Sequence, residues 1–262
     1  MFISTIISYP LLSLCIALLC RFIFKLNIKS FFYLLLLPGI FFSFLPVKVL
    51  LLATTLGMTI YFCLRSNRYI IQIIPLFFLL VLSVYYHPQL HFSPSQTLSV
   101  TNFINSQRGE HTDVQPSFIG KVLHNKTSFL FPFVGNLEKY FSPVSLFTRY
   151  PRPLLFEVYP LGFFFPWDIL LFLSLLFHSQ KLSRPKPTAI LFFTVTTVLL
   201  GFGQSVLLQS LLSTSILFSL ALAFAQKLKS INNNKFIVLL TLNTIYLTGH
   251  LFVLLTSSFS QL

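Results

Sequence analysis

The sequence predicts an all-α integral membrane protein, a polytopic bundle of about eight transmembrane helices with one long extracytoplasmic loop. Three observations lead there. Of 262 residues, 55% are hydrophobic and only 9% charged, with a mean hydropathy of +0.82. A water-soluble domain carries about 25% charged residues, so this chain lacks the polar surface to cover a soluble globule. Apolar stretches approaching the ~20 residues that a spanning helix needs recur along the chain. The net charge of +13 falls in short basic clusters between those stretches. That placement is the pattern of cytoplasmic loops and headgroup contacts, and it sets nucleic acid aside as a partner.

The first span is residues 2–20. It has no basic start and no small-residue cleavage site, and its positive charges, Arg21, Lys25 and Lys29, follow it. It therefore reads as a retained helix whose start lies outside. Residues 31–64 are apolar over 34 positions. As one helix they would be about 51 Å long against a hydrocarbon core of about 30 Å. Pro46-Val47-Lys48 can make a turn, giving spans 31–45 and 49–64 and placing Arg65 and Arg68 on the side of Arg21. Span four is 69–86 and span five 161–178. Residues 188–226 pose the same length problem; a break at Gly201 to Gly203 gives spans 188–203 and 205–226. Lys227, Lys229 and Lys235 then share a side with Lys181, Arg184 and Lys186. Span eight is 236–257. Both termini are expected outside. The four inner loops hold 11 of the 18 basic residues and no acid.

This divides the chain into a four-helix segment (1–86), an extracytoplasmic loop (87–160) and a second four-helix segment (161–262). The loop carries Glu110, Asp113, Glu138 and Glu157, and the fifth acid, Asp168, is expected near the outer end of span five. Residues 97–107 read as a short helix. Residues 121–140 mix aromatic and basic residues, interrupted by Pro132 and Gly135, and such a segment is expected along the headgroups.

Candidate chemistry is sparse. His87 and His91 have helical metal-ligand spacing, but Pro88 breaks the helix between them. Glu110, His111 and Asp113 form a polar cluster without a third-ligand pattern, so no metal site is predicted. Asp168, in Phe-Pro-Trp-Asp, is an ionisable group within a span and a functional candidate on that ground. It would act as a base or substrate-binding carboxylate partnered by Arg149 or Arg152, or else reach water beside the interfacial Trp167. Arg149 and Arg152 flank a rigid Pro-containing segment, where two guanidinium forks suit a lipid phosphate or plain headgroups. Gln204 and Gln209 read as amides that hold helices together. Cys15, Cys20 and Cys63 all lie in apolar runs, away from any disulfide framework. Asn125-Lys126-Thr127 fits a glycosylation sequon. No nucleophile triad, Walker loop, Cys-x-x-Cys or Gly-rich dinucleotide turn occurs, and no cofactor is predicted.

One stretch, about residues 124–168, carries a resemblance. Its words are His124-Asn125-Lys126, Glu138-Lys139-Tyr140-Phe141-Ser142-Pro143, Leu146-Phe147 and Gly162-Phe163-Phe164-Phe165-Pro166-Trp167-Asp168. It resembles the outer loop and following helix of bacterial membrane glycosyltransferases of the GT-C superfamily, similar to protein-mannosyltransferases that use a polyprenyl-phosphate sugar. The resemblance implies a bacterial plasma-membrane protein engaging a lipid-linked sugar or glycan, with an organellar membrane as the alternative location. Such enzymes carry acids in their first outward loop. Here that loop is 46–48 and holds none. The expectation is thus an accessory or degenerate relative. Two alternatives stand beside it: a structural subunit of a larger membrane assembly, and an active transferase using Asp168, Glu110 or Asp113.

Overall fold

The computed structural model describes residues 2–37, 46–66, 68–86, 91–110, 127–148, 161–178 and 187–259. Among these residues all regular structure is helical and no strand occurs. The helices are α1 (Phe2–Phe24), α2 (Ile28–Leu36), α3 (Val47–Arg65), α4 (Tyr69–Tyr85), α5 (Pro94–Glu110), α6 (Leu130–Phe141), α7 (Pro143–Phe147), α8 (Ile169–His178), α9 (Pro187–Phe202), α10 (Val206–Lys227) and α11 (Asn233–Phe259). Two of them, α3 and α10, are long and apolar enough to cross a bilayer.

The centre of the bundle is α10. Ser205 starts it by accepting the Leu208 amide at 3.3 Å, and the helix then buries Leu212, Leu217, Phe218, Leu222 and Phe224. It also buries Ser213, Thr214 and Ser215, whose small side chains let other helices come close. The closest approach is that of α3. A Cβ on Gly57 would lie 2.6 Å from the Ser215 carbonyl oxygen and 3.1 Å from Phe218. Only a glycine admits that backbone.

Pro75 lies inside α4 and has no N–H to give the Ile71 carbonyl. The Cys63 thiol of α3 donates to that carbonyl at 2.8 Å instead, so the missing hydrogen bond is replaced by one from a neighbour that also links the two helices.

The basic turns gather at one end. The Lys229 ammonium donates to the Lys25 carbonyl (3.1 Å), and Lys29 donates to the Ile231 carbonyl (2.9 Å). Phe24 packs edge-on against Tyr61 at 5.3 Å, and Arg65 donates to the Tyr61 hydroxyl. Gln72 donates to the Ser66 carbonyl and accepts from Thr188 at the start of α9. The turns after α1, α3 and α10 and the start of α9 thus share one end, which puts Arg65 and Lys227 together as the charge pattern requires.

Three expectations are corrected here. First, the described part of the 87–160 loop does not lie wholly along a surface: most of α5 and the Leu130, Phe131 and Val134 face of α6 are exposed, but the other face of α6 packs into the bundle. Asn136 of α6 donates to the Gly201 carbonyl (2.8 Å), Phe133 packs on Phe202 at 4.9 Å, and Tyr140 is buried in the same core as Ile16, Phe163 and Phe218. The three sequence segments therefore contribute to one core. Second, Pro132 and Gly135 do not interrupt α6. Pro132 falls in its first turn, where the missing N–H costs nothing. Third, residues 161–178 are not one helix: only Ile169–His178 is α-helical. The remainder of expected span two, residues 38–45, lies outside the described residues.

Along the flanks of the bundle large apolar side chains face outward, including Phe22 (87% exposed), Ile70 (82%), Phe77, Val84 and Phe252. Exposed apolar side chains in such number are what a helix facing lipid presents.

Candidate functional site

Residues 161–165 enter the bundle without helical hydrogen bonds, with Leu161, Phe163, Phe164 and Phe165 all buried. The segment is held by its backbone. Phe164 N–H donates to the Leu146 carbonyl at 2.8 Å, and a Cβ on Gly162 would meet the Phe147 backbone at 2.3 Å. Phe164 packs on Phe224 of α10 at 5.3 Å.

A short 3-10 turn, Pro166–Asp168, follows. Phe165 is extended, Pro166 supplies a preset φ at the first helical position, and the Asp168 carboxylate reaches back to accept the Phe165 N–H at 3.1 Å. That half of a capping box is local and needs only the sequence Phe-Pro-Trp-Asp. Two more donors come from distant helices. Tyr33 of α2 donates its hydroxyl to Oδ2 at 3.1 Å, and Asn243 of α11 donates its amide to Oδ1 at 3.3 Å. The carboxyl group is 0% exposed. Its three partners are a phenol, a backbone amide and a carboxamide, all uncharged. Asn243 is itself buried, and its Oδ1 has no partner among the described residues.

The depth of Asp168 differs from expectation. Its partner Asn243 stands about 12 Å along α11 from Lys235, at 1.5 Å rise per residue. Asp168 therefore sits well inside the bundle and not at the outer end of a span. Trp167 beside it is 43% exposed on the flank. In this geometry the carboxylate joins α2, the start of α8 and α11, and both its oxygens are engaged.

A second polar knot lies toward the opposite end. Gln209 donates to the Leu200 (3.0 Å) and Gly203 (2.6 Å) carbonyls left open by the end of α9, and it accepts from Tyr140 at 3.4 Å. Enclosure raises the Tyr140 phenol above its ordinary pKa, which keeps it a neutral donor. Gln96 donates to Asn136 (3.0 Å) and Gln204 to the Phe92 carbonyl (2.7 Å), so Gln204 and Gln209 both act as helix-joining amides.

Of the other residues singled out in the sequence, Glu110 is the last residue of α5. Asp113, His87, His111, Arg149 and Arg152 lie outside the described residues. His91 is exposed. Tyr33 and Asn243 were missed. The available signal was a polar side chain alone in an apolar run, which inside a membrane or a core must find a partner.

Fold and site together define a helical bundle pinned by buried polar clusters, with its cationic turns at one end. Comparison of the chain with protein-family models, curated proteins and solved structures returned no match.

Proposed function

We propose that the chain is a multi-pass membrane protein of a bacterial plasma membrane, with about eight spans, its basic turns in the cytoplasm and its termini outside. The observation that carries this reading is the gathering of Lys25, Lys29, Arg65, Lys227 and Lys229 at one end of a bundle whose flanks are apolar. Irregular backbone such as 161–165 is tolerated at membrane depth where protein buries it, as it is here.

Its role in this reading is that of an accessory, glycosyltransferase-like protein that engages a polyprenyl-phosphate sugar or glycan through the 87–160 region, without catalysing transfer. The resemblance over 124–168 and the Arg149/Arg152 pair support the partner class. The enclosure of Asp168 among neutral donors supports the absence of catalysis by that residue. Glu110 and Asp113 remain the acids on which an active transferase would depend.

The test is binding of undecaprenyl phosphate to the purified full chain, wild type against Arg149→Ala/Arg152→Ala. Loss of roughly tenfold or more in affinity is expected for two phosphate-directed arginines. Equal binding by the two proteins overturns the partner assignment. Transfer of sugar that depends on Glu110 or Asp113 would replace it with the transferase reading. Copurification with a fixed stoichiometry of another membrane subunit, without lipid binding, would replace it with the structural-subunit reading.

A further inference from the structure

Between α8 and α11, at the basic end, lies a groove of about 830 Å³. Its wall is apolar: Leu170 and Leu171 from α8, Val238 and Leu242 from α11. Its mouth is cationic, with Lys227 at the end of α10 and Lys235 in the first turn of α11. Asn232 and Asn234 complete the polar rim, and none of the described lining residues is acidic. From Lys235 to Leu242 the groove follows α11 for about 10 Å. Behind the mouth stand Lys25, Lys29 and Lys229, held there by the hydrogen bonds between the two turns.

We propose that this groove binds an anionic phospholipid of the leaflet at the basic end. The phosphate sits between Lys227 and Lys235, and the first part of an acyl chain lies over Leu170, Leu171, Val238 and Leu242. Charge complementarity selects this occupant. Two lysines at the rim, a cationic field behind them and the positive end of α11 all favour a phosphate. The adjoining apolar wall is wetted by a soluble anion but covered by a lipid tail. A zwitterionic lipid brings its own cation to the lysines and loses the advantage. The proposal rests on the membrane reading given above but concerns the opposite face from the loop that engages the glycan partner.

Trp167 supplies the assay. It is the single tryptophan of the chain, it is half-exposed, and it precedes Leu170 by less than one helical turn. Lipids brominated on the acyl chain quench a tryptophan only at near contact. The full chain in mild detergent is titrated with brominated phosphatidylglycerol and with brominated phosphatidylcholine. Saturable quenching is expected at roughly tenfold lower concentration for phosphatidylglycerol, the preference that two interfacial lysines confer. Lys227→Gln/Lys235→Gln abolishes the preference, while Lys48→Gln, at the start of α3 and far from the groove, leaves it intact. Lys235→Glu, a change on an exposed side chain, repeats the test if the double variant does not fold. Equal quenching by both lipids in the wild-type chain, or a preference that survives the lysine changes, overturns the proposal. So does displacement of phosphatidylglycerol by millimolar inorganic phosphate, which marks a site for a soluble anion. Carbonate extraction separates the two failures. A chain that stays in the membrane pellet yet shows no preference refutes the groove alone, and a chain released into solution refutes the membrane reading.

Discussion

Removing the Asp168 carboxylate tests how this bundle is pinned. Asp168→Ala leaves three buried donors without an acceptor: the Tyr33 hydroxyl at 3.1 Å, the Phe165 amide at 3.1 Å and the Asn243 amide at 3.3 Å. A buried group that loses its partner costs about 1–3 kcal/mol. Taking the lower value for each gives roughly 3 kcal/mol, because all three lie in one site and their losses overlap. For a chain of this size that is a fall of roughly 6–12 °C in melting temperature. Asp168→Asn is expected to cost less than half as much. Its new amide can donate to Asn243 Oδ1, which has no partner among the described residues, once the Asn243 carboxamide turns. The assay is thermal unfolding of the detergent-purified chain, extended to a double-mutant cycle with Tyr33→Phe. Alone, Tyr33→Phe removes one hydrogen bond, at about 1 kcal/mol. On top of Asp168→Ala it removes an orphaned hydroxyl and is expected to be neutral or stabilising. If Asp168→Ala melts within a degree of the wild type, or Tyr33→Phe costs the same in both backgrounds, the pin is not what joins α2, α8 and α11.

Two further outcomes follow from the packing and the topology. Gly57→Val forces a branched side chain against the Ser215 carbonyl 2.6 Å away, so α3 and α10 must separate. A loss of about 1–3 kcal/mol or more is expected in the same melting assay, with Gly57→Ala showing a smaller fall. For topology, the native cysteines are first replaced, with Cys63→Ser chosen because a hydroxyl still donates to the Ile71 carbonyl that Pro75 leaves open. Single cysteines at Arg68 and Lys229 should then react with an impermeant reagent only from the cytoplasmic side, and one at Lys48 only from the opposite side. Labelling of Arg68 and Lys229 from different faces would dissolve the arrangement.

The sequence by itself determined the class and most helix boundaries. Long apolar runs and 9% charge over 262 residues predict an all-helical chain, and the described residues are all-helical in their regular structure. The breaks at Pro46 and at Gly203-Gln204-Ser205 appear where proline, glycine and the Ser205 cap put them, because turn and cap chemistry is local. The gathering of Lys25, Lys29, Arg65 and Lys229 at one end agrees with the short basic clusters that the sequence places between apolar runs. What only the tertiary structure decided was which apolar segments are helical and which polar groups meet. Residues 161–168 read as the first half of a span, for hydropathy measures burial and is blind to whether the backbone is hydrogen-bonded to itself. Here the Leu146 carbonyl takes part of that load. Tyr33, Asp168 and Asn243 are separated by 135 and 75 positions and carry no shared spacing, so nothing along the chain links them. Their meeting depends on how closely α2, α8 and α11 pack, a property of the whole bundle and not of any stretch within it.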